Sequence, residues 1–192
     1  MKKEMMDVRK ITWIGFGIAL NVVGAFIAMT LGLPIYLDSI GTIMIAVLLG
    51  PKYGIITGVC GSITSGMTFD MYSFYFAPVQ ISTGLLAGIM YRKGFLKGKK
   101  TPLGVLIFIL PTAIMSAIIT AKLFGGVTSA GSSDIVQLCM AMGLPDVTSV
   151  FIIQIITDYA DKYVALILVL AGMKIIPRQF KPLANTKVIK GD

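Results

Sequence analysis

Histidine is absent from the 192 residues, and charged side chains make up only 14% of them. Without imidazole the commonest general base and metal ligand is missing, and its loss removes the usual zinc and haem ligand sets. The two cysteines, Cys60 and Cys139, sit in apolar runs and form no CxxC pair. No metal and no cofactor is therefore expected. Glycine is plentiful, yet no Gly-Lys-Ser/Thr follows any glycine cluster, so a phosphate loop is excluded. Charge is scarce because the chain is 56% apolar with a mean hydropathy of +0.86. Such a composition belongs in a membrane rather than in a soluble domain. The net charge of +8 does not point to nucleic acid, because the basic residues lie mostly in short loops between apolar runs.

What is present is a set of long apolar segments. The most informative is the last, residues 147–174, VTSVFIIQIITDYADKYVALILVLAGMK. It is long enough to cross a bilayer but carries Asp158, Asp161 and Lys162 near its middle. Ionisable groups at that depth cost several kcal/mol, on the order of 3 on insertion scales, so they persist only when paired, hydrated or used. Asp158 and Lys162 stand at i, i+4, the spacing of a helical ion pair. Gln154, Asp158 and Asp161 share one helical face, which must look at protein or an aqueous cavity.

The length and hydropathy predict an all-α membrane protein, one integral domain over 1–192 with six transmembrane helices. The spans fall at about 11–31, 39–50, 53–67, 78–92, 102–123 and 147–174. No cleavage site of small residues follows the first apolar run, so the first helix is expected to be retained. Of the 17 Lys/Arg, all but Lys122 and Lys162 fall at the ends or in the second-to-third and fourth-to-fifth loops, whereas Asp38, Asp70, Asp134 and Asp146 fall on the opposite side. The positive-inside rule then puts both termini in the cytoplasm.

Gly15 and Ala19, then Gly24 and Ala28, make two small-xxx-small pairs on the first span, and Asn21 between them needs a polar partner, in packing or in a ligand. Asp38 and Ser39 are placed to cap the second helix, with ligand binding the other reading of Asp38. Gly54, Gly58 and Gly61 line one face of the third span, where a neighbour can approach closely. The loop after it, TFDMYSFYF, clusters Tyr72, Tyr75 and three phenylalanines beside Asp70, either as interfacial anchors or as a stacking surface. Gln80, Ser82 and Thr83 follow in the outer turns of the fourth span. Pro111 should kink the fifth, and Thr112, Ser116 and Thr120 form its polar stripe. Lys122 at its end either snorkels or serves as a counter-charge. Residues 124–146 form an outer lid or binding segment, with a short helix over about 135–142 capped by Ser133 or Asp134.

An enzyme is not expected. Two carboxylates three residues apart suggest a metal-dependent phosphotransferase, but no second DxxxD completes the set. A stand-alone proton-coupled small-molecule carrier is the alternative that buried acids support, although no internal repeat aligns.

Taken in order, LPIYLDSIGT, LLGPKYGIITGVCGSITSG, FAPVQISTGLLAGIMYRKG, FGGVTSAGSSD and DYADK resemble the substrate-binding S component of energy-coupling factor (ECF) transporters, over about 165 residues. The resemblance implies an S-component-like bundle in the cytoplasmic membrane of a prokaryote. It implies a high-affinity binding subunit of an ABC importer for a vitamin or nucleoside-like compound, with no catalysis of its own. The implied partners are a transmembrane coupling protein and two ATPases, on which the subunit topples to release its substrate. Docking would use small residues of helix one, here Gly15, Ala19, Gly24 and Ala28. The substrate would lie in the outer half, where the candidates are Asp38, Asp70, Tyr72, Tyr75, Gln80, Lys122, Asp134, Gln154 and Asp158. Asp161 and Lys162, with Asp158, would form a buried ion-pair network. More acids than bases on that side favour a neutral or cationic ligand.

Overall fold

Proline and glycine punctuate this chain, and the helices begin and end where they stand. The computed structural model describes residues 8–175; the basic segments expected at the extreme ends fall largely outside them. The described residues form eight α-helices: α1 Val8–Thr30, α2 Ile40–Leu48, α3 Pro51–Thr68, α4 Tyr72–Tyr75, α5 Ala77–Arg92, α6 Thr101–Phe124, α7 Ser132–Ala141 and α8 Asp146–Ile175. A 3₁₀ turn, Gly98–Lys100, leads into α6, and no strand occurs among the described residues. Pro51, Pro78 and Pro102 stand in the first turns of α3, α5 and α6, where a missing N–H costs no helical bond. Gly125, at φ 57°, closes α6 in the left-handed conformation glycine adopts without strain. Pro111 lies inside α6, which continues through it.

Among the described residues two helices are long and apolar enough to cross a membrane, α1 and the continuous segment Gly98–Phe124. Large apolar side chains lie outside and several polar or charged ones lie inside, beside an apolar core. Phe16, Val23 and Phe26 of α1, Leu106, Leu110 and Ile118 of α6, and Ile152, Ile156 and Leu168 of α8 are exposed, whereas Asn21, Gln80, Gln154, Asp158, Asp161 and Lys162 are buried.

At the centre lies α2. It has nine residues, about 14 Å of helix. All eight from Gly41 to Leu48 are buried, packed by α1, α3, α5 and α8. A helix apolar on every side has to be enclosed by other helices. Glycine makes the enclosure tight: a methyl on Gly41 would overlap the Gly17 carbonyl of α1, and one on Gly84 of α5 would lie 2.6 Å from the Gly54 carbonyl carbon of α3. The expected close face of α3 is therefore present, with Gly58 against Gln80 and Thr42, and Gly61 against Asn21.

Neither Asp38 nor Ser39 caps α2, contrary to the sequence expectation; the Ser39 hydroxyl points away to Asp161. The cap comes from another helix. Asn21 Oδ1 of α1 accepts from the amides of Gly41 (2.7 Å) and Thr42 (3.2 Å), and its Nδ2 donates to Thr42 Oγ1 at 2.8 Å. Thr42 in turn donates to Gln80 Oε1 at 2.9 Å. Asn21 is thus a packing residue, with its amide spent on the first turn of α2, whose free N–H groups would otherwise be buried without acceptors.

The helix expected over 135–142 starts earlier, at Ser132, and no side chain caps it. Ser133 Oγ instead accepts from the Thr128 amide at 2.8 Å and folds the preceding loop back on the helix.

Candidate functional site

One cleft opens among the loops that follow α1, α3 and α6. Its empty space, counted out into the solvent at its open mouth, is about 670 Å³. The 31–39 loop contributes Leu33, Ile35, Tyr36 and Asp38, and α1 backs it with Ala25, Ala28 and Met29. Phe69, Asp70, Tyr72, Ser73 and Phe76 form the second wall. Val79 and Gln80 of α5, Ser116 of α6, the 128–130 loop, and Asp158 and Lys162 of α8 complete it.

The cleft exists because Asp161 holds the 31–39 loop in place. Asp161 is fully buried, and its Oδ1 accepts from the amides of Tyr36 (3.2 Å) and Leu37 (2.7 Å). Its Oδ2 accepts from Ser39 Oγ at 3.3 Å and from Lys162 Nζ at 2.7 Å. Leu37 is the one non-glycine residue at positive φ (51°) among the described residues. A left-handed leucine costs roughly 1–2 kcal/mol, and the short bond to Asp161 offsets that cost. Gly24 is needed beneath it, since a methyl there would overlap the Leu37 carbonyl. The Gly131 amide donates to the Leu33 carbonyl at 3.2 Å, so the loop after α6 closes onto the loop after α1.

Lys162 pairs with Asp161 and lies 4.0 Å from Asp38 Oδ1. The i, i+4 pairing with Asp158 expected from the sequence does not form. Asp161 wins because its carboxylate is already fixed by backbone amides and the flexible lysine stem reaches it. Asp158, one turn earlier and 2% exposed, accepts a 3.2 Å bond from Gln154 Nε2 on Oδ1, while Oδ2 has no partner. Asp38 Oδ1 is also without a hydrogen bond. Buried carboxylate oxygens ordinarily find donors, so these two, both on residues that line the cleft, are exceptions to that rule.

No family model, curated protein or solved structure matches this chain. The reading of the cleft therefore rests on its own geometry. Withdrawal from water raises the Asp38 carboxyl above its ordinary range, with Lys162 opposing and Asp161 adding to the rise. Burial also raises the Tyr36 phenol, with Asp158 adding to the rise and the Ser132, Gln154 and Thr128 side chains opposing it.

Of the expected ligand residues, Asp38, Asp70, Tyr72, Gln80 and Asp158 line the cleft. Asp70 is spent on its own turn, accepting from the Tyr72 amide at 3.3 Å and from Ser73 Oγ at 2.7 Å. Gln154 stands behind Asp158 rather than in the wall. Lys122 and Asp134 are exposed and outside the cleft, and Tyr75 is turned against Phe124 with ring centroids 5.2 Å apart. Of the expected docking residues, Gly15 and Ala19 are exposed, and Gly15 has no neighbour within 4 Å of an added methyl. Gly24 and Ala28 are buried under the 31–39 loop and the cleft, so they cannot meet a partner. Sequence reasoning missed Tyr36 as a wall residue; the 128–130 loop lies within the expected outer lid or binding segment 124–146, though none of its three residues was singled out. Ser116 was visible only as part of a polar stripe. Among the described residues no three His, Cys, Asp or Glu side chains converge as a metal site requires.

Proposed function

We propose that the chain is the substrate-binding subunit of an ATP-driven importer of the ECF type, holding a small water-soluble micronutrient in the cleft and releasing it when docked on its energising module. The observation that carries this reading is Asp158 Oδ2, an open acceptor on a residue 2% exposed at the wall of a loop-closed cleft. The apolar exterior, with the charged and amide side chains of the helices turned inward, supports six membrane spans, α1, α2, α3, α5, α6 and α8, with α2 sheltered among the others. The basic residues of the loops after α2 and α5 support a cytoplasmic side opposite the cleft, in the membrane of a prokaryote.

The subunit needs no chemistry of its own. Binding strips water from the ligand, and the loops after α1 and α6, already joined by one backbone bond, cover it. The exposed Gly15 and Ala19 offer the coupling protein a flat approach on α1, with two ATPases supplying the work.

The test is uptake into liposomes of the compound that the purified protein retains. Transport is expected only when the coupling protein, both ATPases and internal ATP are present. Accumulation by this chain alone, driven by a proton gradient, would replace the reading with that of a self-sufficient carrier.

A further inference from the structure

The cleft holds four acidic side chains or their immediate support, Asp38, Asp70, Asp158 and Asp161, against one base, Lys162. Their electrostatic roles differ. Asp161 and Lys162 neutralise each other at 2.7 Å. Asp70 is satisfied by its own turn. The acceptors left open are on Asp158 and Asp38, which reach the cleft from different elements, each with an oxygen lacking a donor. Lys162 Nζ is too far from Asp38, at 4.0 Å, to supply a hydrogen bond.

The cleft also has an aromatic side. Phe76 packs near Tyr36, with centroids 6.4 Å apart, and is braced by Phe124, stacked at 6.3 Å. Tyr72 stands edge-on to the same Phe124 at 4.8 Å. Ring faces attract cations and planar groups, and carboxylates attract the N–H donors on a cation's rim.

We propose that the substrate is a planar organic cation, an amidinium, an aminated nitrogen heterocycle or a similar group, whose N–H donors are taken by Asp158 Oδ2 and Asp38 Oδ1 while its ring lies against the Phe76 and Tyr36 side. An anion of the same shape is rejected, because it would stand beside Asp158 with no free base to receive it; the one lysine is already committed to Asp161. A neutral isostere binds weakly, since a neutral donor forms the weaker hydrogen bond with a carboxylate. This inference rests on the cleft being a ligand site and is independent of the ATP-driven module.

Benzamidinium, benzamide and benzoate share one ring and differ in charge, so calorimetric titration of ligand-stripped, detergent-purified protein with each tests the class. Benzamidinium is expected to bind at least about 10-fold more tightly than benzamide, and benzoate not to bind, as the strength of charge-assisted bonds implies. Asp158→Asn should weaken benzamidinium about 10-fold or more, Asp38→Asn should also weaken it, and Asp134→Asn, exposed and outside the cleft, should leave it nearly unchanged. The melting temperature of each ligand-free variant reports its folding, and Asp38→Asn reads the site independently should Asp158→Asn fail to fold. Benzoate binding as well as benzamidinium, absence of benzamidinium binding at millimolar concentration, or equal affinity in all variants would overturn the proposal. Charge-selective binding by a protein that transports without ATPases would leave this inference standing and remove the importer reading alone.

Discussion

Asp158 and Asp161 stand one turn apart on the same buried face of α8, yet their environments are opposite. Asp161 accepts from two backbone amides, a hydroxyl and an ammonium group; Asp158 accepts from one side-chain amide and leaves an oxygen open. A carboxylate with every acceptor filled is part of the framework. One left half-filled at a cavity wall is costly unless something else completes it. The comparison separates structure from function within four residues, and substitutions can break or sharpen it.

The largest effect is expected from Asp161→Ala. It strips the acceptor from the 31–39 loop and leaves the buried Lys162 without its hydrogen-bonded partner, a loss of about 3–5 kcal/mol. Thermal melting should show a collapse in stability, or little folded protein. Asn21→Ala should follow at about 1–3 kcal/mol, since the amides of Gly41 and Thr42 would be buried without an acceptor. Gly24→Ala should cost about 1–3 kcal/mol by pushing on the Leu37 carbonyl and distorting the cleft. Asp158→Asn should change the stability of the empty protein by less than about 1 kcal/mol, because Gln154 keeps an acceptor and a buried charge is removed. Its effect falls on ligand binding. Gly15→Ala should be the mildest, within about 0.5 kcal/mol, as nothing lies near it in the isolated chain. Should it impair transport while leaving ligand binding intact, α1 is the docking face.

Much of the architecture was legible because helix boundaries are local. Pro51, Pro78 and Pro102 mark starts, Gly125 marks a stop, and apolar runs between them have helical length. The close packing of Gly54, Gly58 and Gly61 was legible for the same reason: small residues at helical spacing leave a groove wherever they occur. The polar partnerships were not. Asp161 meets Leu37 across 124 residues, and Asn21 caps a helix that begins 19 residues later in the chain. Sequence spacing favoured the local answers, a cap from Asp38 or Ser39 and a pair between Asp158 and Lys162, and tertiary contacts displaced both. Gly24 and Gly15 look alike as small-xxx-small motifs; only the path of the 31–39 loop distinguishes the buried one from the exposed one. Lys122 and Asp134 were chosen by position near the outer end of the bundle. Their helices α6 and α7 turn them to the surface instead.

The most direct measurement is native mass spectrometry of the wild-type protein and of Asp158→Asn, each purified gently from cells grown in rich medium. The account predicts one small molecule retained at one per chain by the wild type, and an empty Asp158→Asn protein whose own fold is intact. The same retained mass at the same occupancy in both proteins, or none in either, would contradict the claim that Asp158 marks the binding site.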